Sequence, residues 1–146
     1  MKIFLTGATG FIGGHVLRRL VQDGHTVTCA IRSLGDALAI EALGAKVWLG
    51  DFHDLDRLRW ELSSCQAVIH CAAYLKLGSP NIFFERNNVE LTRQLIIACQ
   101  IAGVSQFIYL SAASVVMQEP QAMYDCQEQL PVTNLAMLPY SRSKAL

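Results

Sequence analysis

Two stretches of the chain hold residue types whose spacing could do chemistry. Near the amino end, Thr6-Gly7-Ala8-Thr9-Gly10-Phe11-Ile12-Gly13 sets glycines in a GxxGxxG pattern. It follows an apolar run, Lys2 to Thr6, that reads as a strand. It opens a segment, Phe11 to Gln22, whose apolar residues Ile12, Val16, Leu17, Leu20 and Val21 recur at helical spacing. Such a turn is suited to a pyrophosphate. Gly7 permits the tight turn, Gly10 lets the backbone come close to phosphate, and Gly13 lets helix and strand pack closely. The start of the helix adds free N–H groups and the positive end of its dipole. One exposed dipole interaction contributes only ~0.3–1 kcal/mol, so contacts across Thr9, Gly10, Phe11 and Ile12 must share the task.

Near the other end, Tyr140-Ser141-Arg142-Ser143-Lys144 sets a phenol and an ammonium four residues apart. On a helix from Pro139 to Leu146 the two lie on one face. Lys144 can then hold a nicotinamide ribose and assist proton transfer at the Tyr140 hydroxyl, which acts as acid or base while hydride moves at the cofactor. A third polar site lies between. The second strand ends in Ala30-Ile31-Arg32-Ser33, with no acidic residue to grip a ribose 2′-hydroxyl. Arg32 can instead pair a 2′-phosphate through its guanidinium fork, which favours NADP(H) and leaves NAD(H) as the alternative.

The elements that must position these groups alternate. Strands are expected at Lys2 to Thr6, His25 to Ile31, Lys46 to Leu49, Gln66 to Cys71 and Ser105 to Ser111. Helices are expected at Phe11 to Gln22, Asp36 to Leu43, Asp54 to Leu62 (capped by Asp54) and Ile82 to Ala102. Repeated β-α units with apolar strands predict a parallel sheet covered on both faces. The fold class is therefore α/β, a Rossmann-type doubly wound sheet of five strands in order 3-2-1-4-5. The cofactor would lie at the switch point between the first and fourth strands. Met117 to Pro139, polar and proline-punctuated, reads as a long loop at the carboxyl edge of the sheet.

The totals narrow the classes. The 146 residues fit one domain, 52% are hydrophobic, and 12 basic residues balance 12 acidic ones. That excludes disorder and speaks against a nucleic-acid footprint. No apolar run approaches the roughly 20 residues of a membrane helix, and no signal segment is recognisable, so a soluble cytoplasmic protein is expected. The five cysteines, Cys29, Cys65, Cys71, Cys99 and Cys126, form no CxxC pair and no cluster with histidine. They read as small buried hydrophobes in a reducing compartment, and no metal site is expected.

The stretch TGATGFIGGHV resembles the extended short-chain dehydrogenase/reductase family, which includes nucleotide-sugar epimerases and dehydratases, dihydroflavonol reductases and 3β-hydroxysteroid dehydrogenases. The resemblance continues along the whole chain. It implies that Gly50-Asp51-Phe52 meets the adenine, with Asp51 at the amino group and Phe52 against the ring. It implies that Cys71, Ala72 and Ala73, after His70, let the chain pass close to the cofactor, His70 itself being structural. Asn87-Asn88-Val89 resembles the family's NNV, whose asparagines contact the nicotinamide side or brace the strand-end loops. The family's substrate-orienting serine falls on Ala112 here, a departure. Alternation in an extended segment would put Ser114 on the same side as residue 112 and Ser111 on the other, so Ser114 is the expected substitute and Ser111 the other candidate.

The resemblance also implies a carboxyl-terminal substrate domain that residues 1–146 do not include, and a homodimer built on the long helix and the YxxxK helix. Three functions follow as expectations. The first is the NADP(H)-binding domain of an oxidoreductase that moves hydride between nicotinamide and a carbonyl or alcohol of a small molecule. The second is an NAD-dependent nucleotide-sugar epimerase or dehydratase. The third is a dinucleotide-binding module with little or no catalysis, favoured by Ala112.

Overall fold

The computed structural model describes residues 1–116, 127, 129, 132 and 138–145. The described chain divides into two compact units, one of Met1–Ala73 with Leu91–Leu110 and one of Tyr74–Glu90 with Ser111–Leu146.

The first unit is a five-stranded parallel sheet, β1 (Lys2–Thr6), β2 (Thr26–Ile31), β3 (Lys46–Leu49), β4 (Ala67–His70) and β5 (Gln106–Tyr109). Its order is β3-β2-β1-β4-β5, the order expected of the Rossmann-type sheet. Successive side chains along a strand point to opposite faces, and both faces here are apolar. Phe4, Ala30, Trp48 and Val68 pack on one side with Leu58 and Leu62 of α3 (Leu55–Leu62) and Leu95 and Ala98 of α5 (Leu91–Ala102). Leu5, Val27, Cys29 and Ile31 pack on the other with Leu17 of α1 (Phe11–Gln22) and Ile40 of α2 (Ala37–Glu41). This burial on both faces is why the strands read as continuous apolar runs rather than as alternation. Asp54 caps α3 as expected, accepting from the Arg57 N–H at 3.1 Å.

Every strand starts or ends within a residue or two of its expected bounds. The helical run after β4 differs more. It begins as a short α4 (Asn81–Phe84), widens into a π-turn over Glu85–Glu90 and continues as α5. A uniform helix from Ile82 is thus corrected: a wide turn over Glu85–Glu90 interrupts it. Residues 34–36 form a 3-10 turn ahead of α2. A second 3-10 turn, Ala113–Val116, follows β5. The expected loop from 117 to 139 lies outside the described residues but for Gln127, Gln129, Val132, Leu138 and Pro139.

Candidate dinucleotide and acid–base site

In the first unit the glycine turn is built by three close approaches. Gly7 has φ +77, and a Cβ there would lie 2.6 Å from the Ala72 nitrogen and 2.8 Å from the Cys71 carbonyl carbon. No side chain fits at that position, so Gly7 and the Cys71-Ala72 segment are held against each other. At Gly13 a Cβ would meet the Gly7 oxygen at 2.1 Å. At Gly10 it would meet only that oxygen, at 3.3 Å, with space beyond. Helix α1 starts at Gly10 with no side-chain cap. The first-turn N–H groups of Phe11, Ile12 and Gly13 therefore have no acceptor within the helix. An uncapped helix start beside a glycine with open space is a cradle that fits a pyrophosphate. Phe11 is 83% exposed and Ile12 50%, so neither side chain closes it.

Thr6 and His70 brace this turn from beneath. The Thr6 hydroxyl accepts the Ala72 N–H at 3.1 Å and lies 2.6 Å from Nδ1 of His70, whose Nε2 lies 2.9 Å from the Thr92 hydroxyl. His70 is fully buried and its ring stacks on Tyr109 with centroids 5.6 Å apart. It is a structural histidine, tying β1, β4 and α5 together. Thr6 was not singled out by its sequence; the only signal was its place between the strand and Gly7.

Arg32 lies one residue past β2, exposed, and makes no ion pair or hydrogen bond with the described residues. Asp51 lies two residues past β3, the strand that pairs with β2. One carboxylate oxygen of Asp51 accepts the His53 N–H at 2.9 Å, so the Gly-Asp turn is self-capped. Phe52 is half-buried, with its ring 5.5 Å from that of Trp48 in an edge-to-face contact. Ala73 is exposed and Cys71 and Ala72 are half-buried.

The second unit holds the YxxxK helix, α6 (Pro139–Ala145). Pro139 suits the first helical position, where its missing N–H costs nothing. Tyr140 is half-buried, and Lys144 is buried at 6% exposure and has partners there. Between them, Ser143 donates to the Tyr140 carbonyl at 2.7 Å. Asn88, 2% exposed in the π-turn, donates through Nδ2 to the Ser143 hydroxyl at 2.8 Å and to the Tyr74 carbonyl at 3.1 Å; its Oδ1 accepts the Tyr74 N–H at 2.6 Å. Of the two roles expected for the asparagines, the geometry of Asn88 is that of a brace. Asn87 is half-buried and donates to the Phe83 carbonyl at 2.8 Å, within its own helix.

The extended-segment argument for Ser114 does not hold, because side-chain alternation stops where the 3-10 turn begins at Ala113. Ser114 nevertheless meets α6. Its hydroxyl accepts from that of Ser141 at 2.8 Å, and Ser141 is 2% exposed. Ser111 is exposed and Ala112 half-buried. Ser141 and Ser143, the partners that anchor this helix, were passed over in sequence as the spacer of YxxxK.

Four described cysteines carry free thiols. Burial pushes the Cys29 and Cys99 thiols up to about 12 and raises that of Cys65. Cys29 and Cys99 are buried as expected, Cys65 and Cys71 are only half-buried, and Cys126 lies outside the described residues. No group of three potential metal ligands occurs among the described residues, and no described helix is long and apolar enough to cross a membrane.

The chain belongs to the NAD dependent epimerase/dehydratase family, whose profile matches residues 3–146. It is 29% identical over 150 aligned residues to the decarboxylating sterol-4-alpha-carboxylate 3-dehydrogenase of Dictyostelium discoideum, covering 99% of this chain and 45% of that protein. It is 28% identical over 146 residues to the 4-hydroxy-2-methyl-3-oxo-4-farnesyl-3,4-dihydroquinoline-1-oxide ketoreductase of Stigmatella aurantiaca, covering 99% of this chain and 44% of the other. Among solved structures, UDP-glucose-4-epimerase from Stenotrophomonas maltophila, with bound NAD and formylated UDP-arabinopyranose, superposes with a TM-score of 0.84 at 26% identity, over 99% of this chain and 45% of that one. The chain thus spans a little under half the length of each of these three proteins.

Proposed function

We propose that the chain is the dinucleotide-binding domain of an NADP(H)-dependent oxidoreductase acting on a small carbonyl or alcohol substrate. The observation that carries the cofactor choice is Arg32: an exposed guanidinium past the carboxyl end of β2, with no ion pair among the described residues and no carboxylate in the adjoining Ala30-Ile31-Arg32-Ser33. The glycine cradle would hold the pyrophosphate and Asp51 would face the adenine. When bound, the nicotinamide supplies or takes up hydride. Tyr140 gives its hydroxyl proton to a substrate carbonyl oxygen as that carbon is reduced, or takes it back in the reverse direction. Lys144 holds the ribose and assists that transfer. Ser114 accepts from Ser141 and so keeps its own O–H to orient the substrate oxygen, in place of the hydroxyl that Ala112 lacks. The names of the two curated relatives, a dehydrogenase and a ketoreductase, support oxidoreduction. A cytoplasmic location and a homodimer through the long helix and α6 belong to the same reading.

Titration of the purified chain with NADPH and with NADH, followed by nicotinamide fluorescence, tests it. A hydrogen bond to a charged group contributes about 1.5–3 kcal/mol. NADPH should therefore bind roughly 10- to 150-fold tighter than NADH, and Arg32→Ala should erase the difference. Equal binding, or a ratio unmoved by Arg32→Ala, would overturn the NADP(H) assignment. A second reading, an NAD-dependent nucleotide-sugar epimerase or dehydratase using the same residues, is favoured by the likeness to the NAD-bound epimerase, and tighter NADH binding would select it. Binding without turnover of any carbonyl would select a non-catalytic module, the reading Ala112 favours.

A further inference from the structure

In the first unit, the turn after β3 is built around one indole. Trp48 is buried in β3, and its ring leans along the strand toward Gly50. A Cβ on Gly50 would lie 2.5 Å from Cη2 of that ring and closer still to Cζ2. Side chains two apart on a strand share a face, so a glycine at 50 is what leaves the ring its space. Phe52 meets the ring edge-on, with centroids 5.5 Å apart. Arg57, in the first turn of α3, reaches back over it. Its guanidinium carbon lies 5.9 Å from the ring centroid, and its Nη2 donates to the Leu49 carbonyl at 2.8 Å.

Arg57 is exposed and has no carboxylate partner among the described residues. Both its contacts fall on the end of β3, an edge strand with β2 on one side and no described strand on the other. It thereby ties residue 57 to residue 49 and closes the loop between them. Inside that loop the Asp54 N–H donates to the Asp51 carbonyl at 3.1 Å, and the His53 N–H donates to Oδ1 of Asp51 at 2.9 Å. These bonds fix the Asp51 carboxylate within the turn. They do not fix the turn to the sheet, which is left to Trp48 and Arg57. The second carboxylate oxygen, Oδ2, bonds to none of the described residues and is free to accept.

We propose that Arg57 is a positioning residue for recognition of the cofactor's base. By clamping α3 to the end of β3 over the Trp48 ring, it sets where Oδ2 of Asp51 meets the 6-amino group of adenine. It acts through Asp51 and does not itself contact the base. This rests on the reading above in which Asp51 faces the adenine, and it is independent of the choice between NADP(H) and NAD(H).

The test compares NADPH with its hypoxanthine analogue, which carries an oxo group in place of the 6-amino group. Both are titrated into the full chain by nicotinamide fluorescence. The analogue forfeits a hydrogen bond to a carboxylate, so wild type should prefer NADPH roughly 10- to 150-fold. Asp51→Ala should abolish that preference. Arg57→Ala should cut it about tenfold, because a hydrogen bond weakens steeply once its geometry is lost. The loss should fall on NADPH and spare the analogue, whereas an arginine that merely stabilised the fold would weaken both alike and leave the ratio unmoved. Arg57→Ala should fold: the side chain is exposed, alanine favours helices, and the Asp54 cap bonds the backbone N–H of residue 57. Arg57→Met, which keeps the stem and loses the donor, gives a second reading and should match it. Arg57→Lys keeps a donor and a cation for the ring and should recover part of the preference. A preference lost in Asp51→Ala but intact in Arg57→Ala and Arg57→Met would overturn this proposal alone. No binding of either dinucleotide, no preference in wild type, or one that survives Asp51→Ala, would overturn the adenine reading and this proposal with it. Both ligands carry the 2′-phosphate, so the ratio is blind to the Arg32 assignment.

Discussion

Gly10 and Gly13 share one turn and are glycines for different reasons. A methyl at Gly13 would sit 2.1 Å from the Gly7 oxygen, inside contact distance of backbone that cannot move without parting β1 from α1. A methyl at Gly10 would meet the same oxygen at 3.3 Å, a contact that gives by a few tenths of an ångström. Gly13→Ala should therefore cost ~1–3 kcal/mol or more by overpacking, seen as a fall of several degrees in the thermal midpoint. Gly10→Ala should keep a near-native midpoint and lose NADPH affinity. The reverse pattern would mean that Gly10 is the packing glycine and Gly13 the phosphate one. The glycine pattern was legible in sequence because backbone clearance can be met by one residue type only. The brace beneath it was not: nothing in the one-dimensional pattern marks Thr6 as a partner of His70, 64 residues away.

At the scale of elements, the second unit is organised around one buried amide. Asn88 joins the π-turn, the segment after β4 and the YxxxK helix through three hydrogen bonds. Truncating it leaves buried polar groups of Tyr74 without partners, at about 1–3 kcal/mol for an unsatisfied group. Asn88→Ala should then raise amide hydrogen exchange in α6 and around Tyr74 by ten- to a hundredfold, with β1 unaffected. Asn88→Asp keeps the acceptor for the Tyr74 N–H but loses both donors, and should be nearly as damaging. Ser143→Ala should be milder, since it removes two bonds, the one from Asn88 and the one to the Tyr140 carbonyl, and leaves both Tyr74 bonds intact. Unchanged exchange in α6 on Asn88→Ala would mean that the helix is held by other contacts. α6 has only seven residues, fewer than isolated helices need to be stable, so it depends on such anchors. The NNV resemblance pointed at Asn88 but left its role open between ligand and brace. The partner that decides it, Ser143, is 55 residues further on. The helical periodicity of 82–102 was likewise legible, whereas the wide turn at Glu85–Glu90 was not, because an added residue in one turn changes the apolar spacing too little to register.

Over the whole molecule, the buried thiols set a pH limit on stability. The Cys29 and Cys99 thiols titrate at about 12 in the folded chain, and unfolded thiols near ~8.5. Between those values the folded state holds protons that the unfolded state has released. Their stabilisation is full below the unfolded value and is lost as pH rises toward 12. The urea midpoint should thus fall steadily above pH ~9. Cys29→Ala, although less stable at neutral pH through the lost volume, should show a shallower fall. An identical slope in wild type and variant would assign the alkaline loss to other groups. Both thiols should also resist thiol reagents until the chain unfolds.

Much of this protein is determined by its sequence alone. Strand and helix alternation and the glycine turn are read from residue periods and from backbone clearance, which are local properties and need no partner to be named. The family follows from the same local patterns. Tertiary structure alone decided which polar groups are tied to each other: Thr6 to His70, Asn88 to Ser143 and Ser114 to Ser141. It also decided that Ser114 sits in a 3-10 turn and that Phe84 is buried while Leu75, Leu77, Ile82 and Phe83 are exposed. Hydrogen bonds between distant segments and the exposure of a given side chain depend on where the whole chain brings its neighbours, and no period along the sequence encodes that.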